Sequence, residues 1–228
     1  MMLGATYLGG VYFFAMVLIA RQWHTVRLGF WPVTTFAAIM GIATVLHWDR
    51  FTPGHISFIL WAFLYFTLPF VIPVVWFINQ RANAGFTISD EAYLPRSLRL
   101  AAGGLGAVLA CASLVLLVYP ELMIPAWPWA LTPLTARAMA AMFALAGLVG
   151  IGMAVDGFLS SARIVLRSQV LAVVLFLLAL VIAREDIFWD RWQSWLFIAG
   201  LLLQLGVAGW ALLLPNRSQP LARSQTTT

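Results

Sequence analysis

Seven runs of apolar residues alternate with short polar or charged breaks. They cover roughly 2–20, 29–46, 56–78, 99–118, 136–155, 164–183 and 194–214. Each is close to the ~20 residues that an α-helix needs to cross a hydrocarbon layer about 30 Å thick. Within lipid, every backbone N–H and C=O must be paired inside its own segment, so all seven are predicted to be helical. The pattern therefore reads as an all-α, polytopic transmembrane bundle, one domain over 1–214. The polar tail 215–228 is predicted to be disordered. The first run has no basic stretch ahead of it and no small-residue cleavage site before Arg21, so it reads as a retained helix rather than a signal peptide.

The polar breaks are asymmetric. Those after runs 1, 3 and 5, together with the tail, hold Arg21, Arg27, Arg81, Arg96, Arg99, Arg163, Arg167, Arg217 and Arg223. The opposite breaks hold Arg50, Arg137, Arg184 and Arg191. Nine arginines against four orient the chain with its N-terminus outside and its C-terminus in the cytoplasm, in a bacterial inner (plasma) membrane, because basic loops stay on the cytoplasmic side. An even number of helices would put the tail arginines on the poor side. The longest cytoplasmic connection is 79–97. On the outside, the proline-rich loop 119–137 is predicted to hold a short interfacial or re-entrant segment, with Trp127 and Trp129 in the headgroup belt.

Composition narrows the function classes. The chain is 63% hydrophobic and 9% charged, against about a quarter charged in soluble domains, so a soluble domain and a disordered chain are both excluded. Its net charge of +5 comes from helix-end arginines, which points to lipid headgroups rather than nucleic acid. All 13 basic residues are arginine and none is lysine. That excludes Schiff-base chemistry and a Walker-type phosphate loop, each of which needs a lysine amine. The single cysteine, Cys111, reads as a buried small hydrophobe.

A weak internal repeat runs through this pattern. HWDRF at 47–51 and FWDRW at 188–192 end comparable turns, and Arg27 and Arg163 follow the first helix of each half. The reading is a parallel 3+1+3 plan, with repeats 2–78 and 136–214 joined by a linker helix at 99–118. The sugar transporters of the SWEET family share that plan, but their proline–glutamine signature is missing here.

Candidate chemistry is sparse. The densest polar group lies on the outer side: His47, Asp49, Arg50 and His55 in one turn, Glu185, Asp186, Asp190 and Arg191 in another. If the halves pack as a pair, two imidazoles and several carboxylates meet. The alternatives are a metal site, a proton relay, a b-type haem on His47 and His55, or a solvated network of helix ends. No spacing matches a specific metal motif, so no cofactor is assigned. Within the membrane, Gln204 sits midway along the seventh run, and Gln169 and Ser168 lie in the inner third of the sixth. No charged residue sits at the centre of any span, which argues against a proton- or sodium-coupled pump. Pro69 and Pro73 kink the third run, freeing the carbonyls of Tyr65 and Pro69, and its aromatics offer a pocket for an apolar ligand or simple packing. Gly103 with Ala107, and Gly106 with Ala110, are small-xxx-small pairs that permit close helix approach, at the bundle's centre or at a subunit interface.

At HWDRF (47–51), WPWALTPLTARAMAAMFAL (127–145) and ARIVL (162–166), and from YLGGVYFF (7–14) onward, the chain resembles a multi-pass membrane protein family of high-GC bacteria with no established activity. The resemblance implies a membrane bundle and carries no site residues. Without a paired catalytic motif, the protein reads as a non-enzyme. The first reading is an accessory or assembly subunit of a membrane complex, with lipid, other membrane subunits or a second copy as partners. The alternative is a small-solute permease or facilitator with its site between the two three-helix halves.

Overall fold

The computed structural model describes residues 2–83 and 93–215. The tail after 215 and the middle of the 79–97 connection lie outside the described residues, as do Asp90, Glu91, Arg217 and Arg223. The long helices are α1 (Met2–Ile19), α2 (Phe30–Leu46), α3 (Ile56–Ala82), α4 (Arg96–Val118), α6 (Pro133–Asp156), α7 (Leu159–Ile182) and α8 (Trp192–Leu213); α5 (Pro120–Met123) is a single turn. All seven long helices are long and apolar enough to cross a membrane. The protein is thus a multi-pass membrane protein of the all-α class, with boundaries within a few residues of those the apolar runs predict.

Local chemistry sets the ends. Thr132 and Thr135 form a reciprocal capping box ahead of Pro133, whose missing N–H costs nothing in a first turn. Gly157 ends α6 in the left-handed region (φ 75°), where a side chain would strain the backbone. Its carbonyl accepts from the N–H of Leu94, tying the start of the α4 segment to the α6–α7 corner.

The closest packing is between α4 and α6. Ala102, Gly106, Ala110 and Ser113 form one stripe of α4, and Gly147, Gly150 and Ala154 face it. A Cβ at Gly106 would lie 2.6 Å from the carbonyl oxygen of Gly147, and one at Gly147 would lie 2.8 Å from that of Gly106. A Cβ at Gly150 would strike the Ala102 carbonyl, and one at Gly103 would meet the Ala154 methyl at 2.8 Å. Ser113 Oγ donates to the Ala140 carbonyl at 2.7 Å. Of the predicted small pairs, Gly103, Gly106 and Ala110 pack here. Ala107 does not: it is about 100° further round the helix than Gly106 and is exposed, as is Cys111, contrary to its predicted burial.

The remaining helices complete a ring. In order, α4, α6, α2, α1, α7 and α8 each pack on the next, and α8 returns to α4. The α1–α2 seam is filled by rings, Tyr7 against Phe36 and Phe13 against Phe30. At the crossing of α1 and α7, Ser168 Oγ donates to the Gly9 carbonyl at 2.7 Å. Helix α3 stands outside the ring, packed chiefly on α2. There the Tyr65 carbonyl, which Pro69 leaves without an intrahelical donor, lies against Gly41, where a Cβ would come within 2.9 Å of it.

Polar ties fasten both ends of the ring. At one end Arg27 pairs with Asp156, which also accepts from Ser161, and Arg99 donates twice to the Ala154 carbonyl (3.0 and 2.6 Å). At the other, His47, Arg137 and Arg191 hold the turns. These are called the Asp156 end and the His47 end below.

The α4–α6 contact yields a direct expectation. Gly106→Leu forces backbones apart and is expected to destabilise the bundle by about 1–3 kcal/mol or to prevent its assembly. Gly104→Ala, one helix face away with open space before its Cβ, is expected to be neutral. Thermal unfolding in detergent with gel filtration checks both.

Candidate functional site

The His47-end clusters do not merge into one site. His47, at the end of α2, accepts a hydrogen bond at Nε2 from Arg137 Nη1 (2.8 Å), while Arg137 Nε donates to the Leu117 carbonyl (3.1 Å). Arginine has no acceptor, so Nε2 is the unprotonated nitrogen of the ring. Among the described residues, Asp49 and Arg50 pair with each other at 3.3 Å on an exposed turn, where an ion pair adds little. His55 caps α3, its Nδ1 accepting from the Ser57 N–H at 3.3 Å. Glu185, Asp186 and Asp190 are exposed. Arg191 donates to the carbonyls of Pro125 (3.1 Å) and Trp127 (3.2 Å) and lies over the Phe188 ring. Among the described residues, no three His, Cys, Asp or Glu side chains converge as metal ligands would. His47, His55 and Arg191 instead make separate helix-end contacts, and the carboxylates of Glu185, Asp186 and Asp190 face outward.

The intramembrane candidates do come together. Gln204, Gln169 and Ser168 all line one cavity of about 910 Å³ between α1, α2, α4, α6, α7 and α8. That is at the upper end of the range for small-molecule sites. Its wall is mostly Leu, Val, Ala, Gly and Phe and includes no Asp, Glu, Arg or His. Gln169 is buried, and among the described residues neither its amide nor those of Gln204 and Gln193 have a hydrogen-bond partner. A partnerless amide in apolar surroundings costs about 1–3 kcal/mol, so these groups call for a ligand or water. A second cavity of about 20 Å³, shared by Gln169 and Gln204, extends the first toward the Asp156 end.

The roof of the cavity is a segment whose role the sequence hid. After α5, whose Met123 already lies in the wall, residues 124–129 turn back over the bundle and add Ala126, Trp127 and Pro128 to it. The Trp127 ring faces the bundle rather than its surroundings: it is only 6% exposed, packed on Trp129, Phe143 and Phe197. Its indole Nε1 is buried without a partner. The turn after α7 holds this segment down, through the Phe188 N–H on the Pro128 carbonyl (2.8 Å), the Trp129–Ile187 bridge and Arg191. A proline-rich loop with interfacial tryptophans is the ordinary pattern of a membrane surface, so only the tertiary fold reveals its inward turn.

Helix α3 contributes nothing to the cavity wall. Its aromatics, which read as either simple packing or an apolar pocket, pack on neighbours or face outward. Tyr65 is buried and shares a 2.6 Å hydrogen bond with Tyr7; Trp61 donates to Thr44; Phe63 and Phe70 face outward. The helix is an outer brace because its aromatics cover all its faces while only the α2-facing strip is occupied.

Compared with protein-family models, curated proteins and solved structures, the chain matches none.

The His47–Arg137 contact carries a pH dependence. Burial first, then the neighbouring Arg137, pushes the His47 pKa below its ordinary value, with Asp49 opposing. The folded protein therefore resists protonating a ring that the unfolded chain protonates near pH 6.5. The resulting stability is full above about pH 6.5 and is lost as the pH falls through the lower, folded value. The unfolding temperature in detergent is expected to drop by a few degrees between pH 7.5 and 5. His47→Gln keeps an acceptor for Arg137 but cannot titrate, so it should flatten that slope; an unchanged slope would refute the assignment.

Proposed function

We propose that this protein is a carrier, a permease or facilitator for a small solute, with its binding site in the six-helix cavity. One observation bears the reading: a ligand-sized cavity with uncharged walls lies where α1 and α2 meet α6, α7 and α8, and three partnerless amides face into or border it. The packing of the halves supports it. The first helix of each set packs on the second helix of the other, α1 on α7 and α6 on α2, and each third helix packs on its own second, α3 on α2 and α8 on α7. Exchanging the sets leaves this pairing unchanged, as a parallel 3+1+3 duplication requires, and carriers built from repeats bind at the repeat interface. The arginine asymmetry supports an orientation with the His47 end outside and the Asp156 end in the cytoplasm.

A second reading, an accessory or assembly subunit, is favoured by α3. It is held chiefly by α2, with Phe63, Phe70 and Phe77 outward, and α4 presents Ala107 and Cys111 outward as well.

Purification in a mild detergent, with mass spectrometry of proteins and bound small molecules, separates the two. The carrier is expected to retain a near-stoichiometric ligand that Gly200→Phe expels. Gly200 lines the cavity and has open space before its Cβ, whereas Gly206, equally unobstructed on α8 but outside the cavity, supplies the control Gly206→Phe. Co-purification with a larger complex, and no molecule sensitive to Gly200→Phe, would overturn the carrier reading.

A further inference from the structure

The cavity walls and their exposure specify what enters and from where. Several lining residues are also strongly exposed: Val108 on α4 at 65%, Leu196 and Leu203 on α8 at 59% and 56%. Val108 and Leu203 are both near the middle of their helices. The cavity therefore has its mouth between α4 and α8, level with the hydrocarbon rather than with water. The other wide seam, between α1 and α2, is filled by its aromatic pairs. At the Asp156 end, Ala102 and Leu105 of α4 close with Val207 and Ala208 of α8 on the small second cavity.

The inside is elongated. Gln193 and Gln204, on one helix, are eleven residues apart, which is about 16 Å along the axis. Gln169 and Gln204 sit at the deep end, Trp127 and Gln193 under the roof. The deep end offers amides that donate and accept, whereas the Trp127 indole N–H at the roof is itself fully buried. Nothing in the wall compensates a charge, and an unpaired charge in such a site is far costlier than an unpaired amide.

We infer that the ligand is an uncharged, membrane-dissolved amphiphile, a long or polycyclic hydrocarbon skeleton ending in a carbonyl or hydroxyl group, which enters sideways between α4 and α8 and places its polar end against Gln169 and Gln204. The inference rests on the carrier reading and names its substrate class. Phospholipids are excluded as the preferred occupant because their charged heads meet no counter-charge in the wall.

Photolabelling of the full chain in phosphatidylcholine vesicles tests this with three diazirine probes: a long-chain methyl ketone, the fatty acid of equal length, and a water-soluble glucoside. The ketone is expected to label the peptides containing Val108 and Leu203. Labelling should vanish in Gly200→Phe and in Gly104→Leu, a second filler on the opposite wall whose added Cβ meets nothing. It should fall about fivefold in Gln169→Leu, the loss of one net hydrogen bond, and persist in Gly206→Phe. Equal labelling by the fatty acid overturns the uncharged head. Labelling by the glucoside in place of the ketone overturns the membrane-dissolved class while the carrier reading stands. If no probe reaches these peptides and neither filler changes anything, the carrier reading falls as well.

Discussion

The architecture depends on the contact between α4 and α6, where two backbones touch without intervening side chains. Between lipid-exposed helices there is no hydrophobic drive to associate, so close van der Waals packing has to do that job, and glycine is what permits it. Gly106, Gly147 and Gly150 let carbonyls of each helix rest on the other's Cα positions. Helix α4 is thereby committed to α6 along most of its length, and it reaches α8 only near the Asp156 end. A tight seam on one side of α4 and an open one on the other follow from the same geometry.

The second organising constraint is the cost of unpaired polar groups in hydrocarbon. The bundle meets it almost everywhere by short-range means. Tyr7 and Tyr65 satisfy each other, Ser168 and Ser113 donate to carbonyls across helix crossings, and Thr44 and Trp61 pair. Arg99 and Arg163 spend their guanidinium groups on helix-terminal carbonyls, where a cation also opposes the helix dipole favourably. Against that economy, the amides of Gln169, Gln193 and Gln204 stand out, as do, among the described residues, two buried unpaired atoms, Trp127 Nε1 and, away from the cavity, Arg163 Nε. The three amides border one cavity, which is why they read as a site rather than as scattered defects.

Much of the fold was legible in the sequence because a helix in lipid must be apolar over a fixed length; all seven spans and the Gly106 contact are of this kind. The site was half legible. Gln204, Gln169 and Ser168 stand out by being polar where almost nothing else is, but their convergence depends on how α7 and α8 rotate, which their near-uniform apolarity does not encode. Trp127 was misread because an indole beside prolines suits a membrane surface equally well. The outer His and Asp residues looked like a cluster because turns concentrate polar residues in sequence. In space His47 turns to Arg137, and Arg191 to the Pro125–Trp127 segment. Ala107 shows the limit of motif reading, since a single residue's rotation separates a packed face from a free one.

The crossing of α1 with α7 has a consequence for biogenesis. Gly9 and Ser168 are 159 residues apart, so at a synthesis rate of about 5–20 residues per second α1 enters the membrane roughly 8–30 s before its main partner exists. During that interval the first helix has only the early helices to hold it, and the Tyr7–Tyr65 hydroxyl pair, 58 residues apart, is a tie that can form as soon as α3 is made. The outer brace thus offers α1 a contact within the first half of the chain, before its main partner is made.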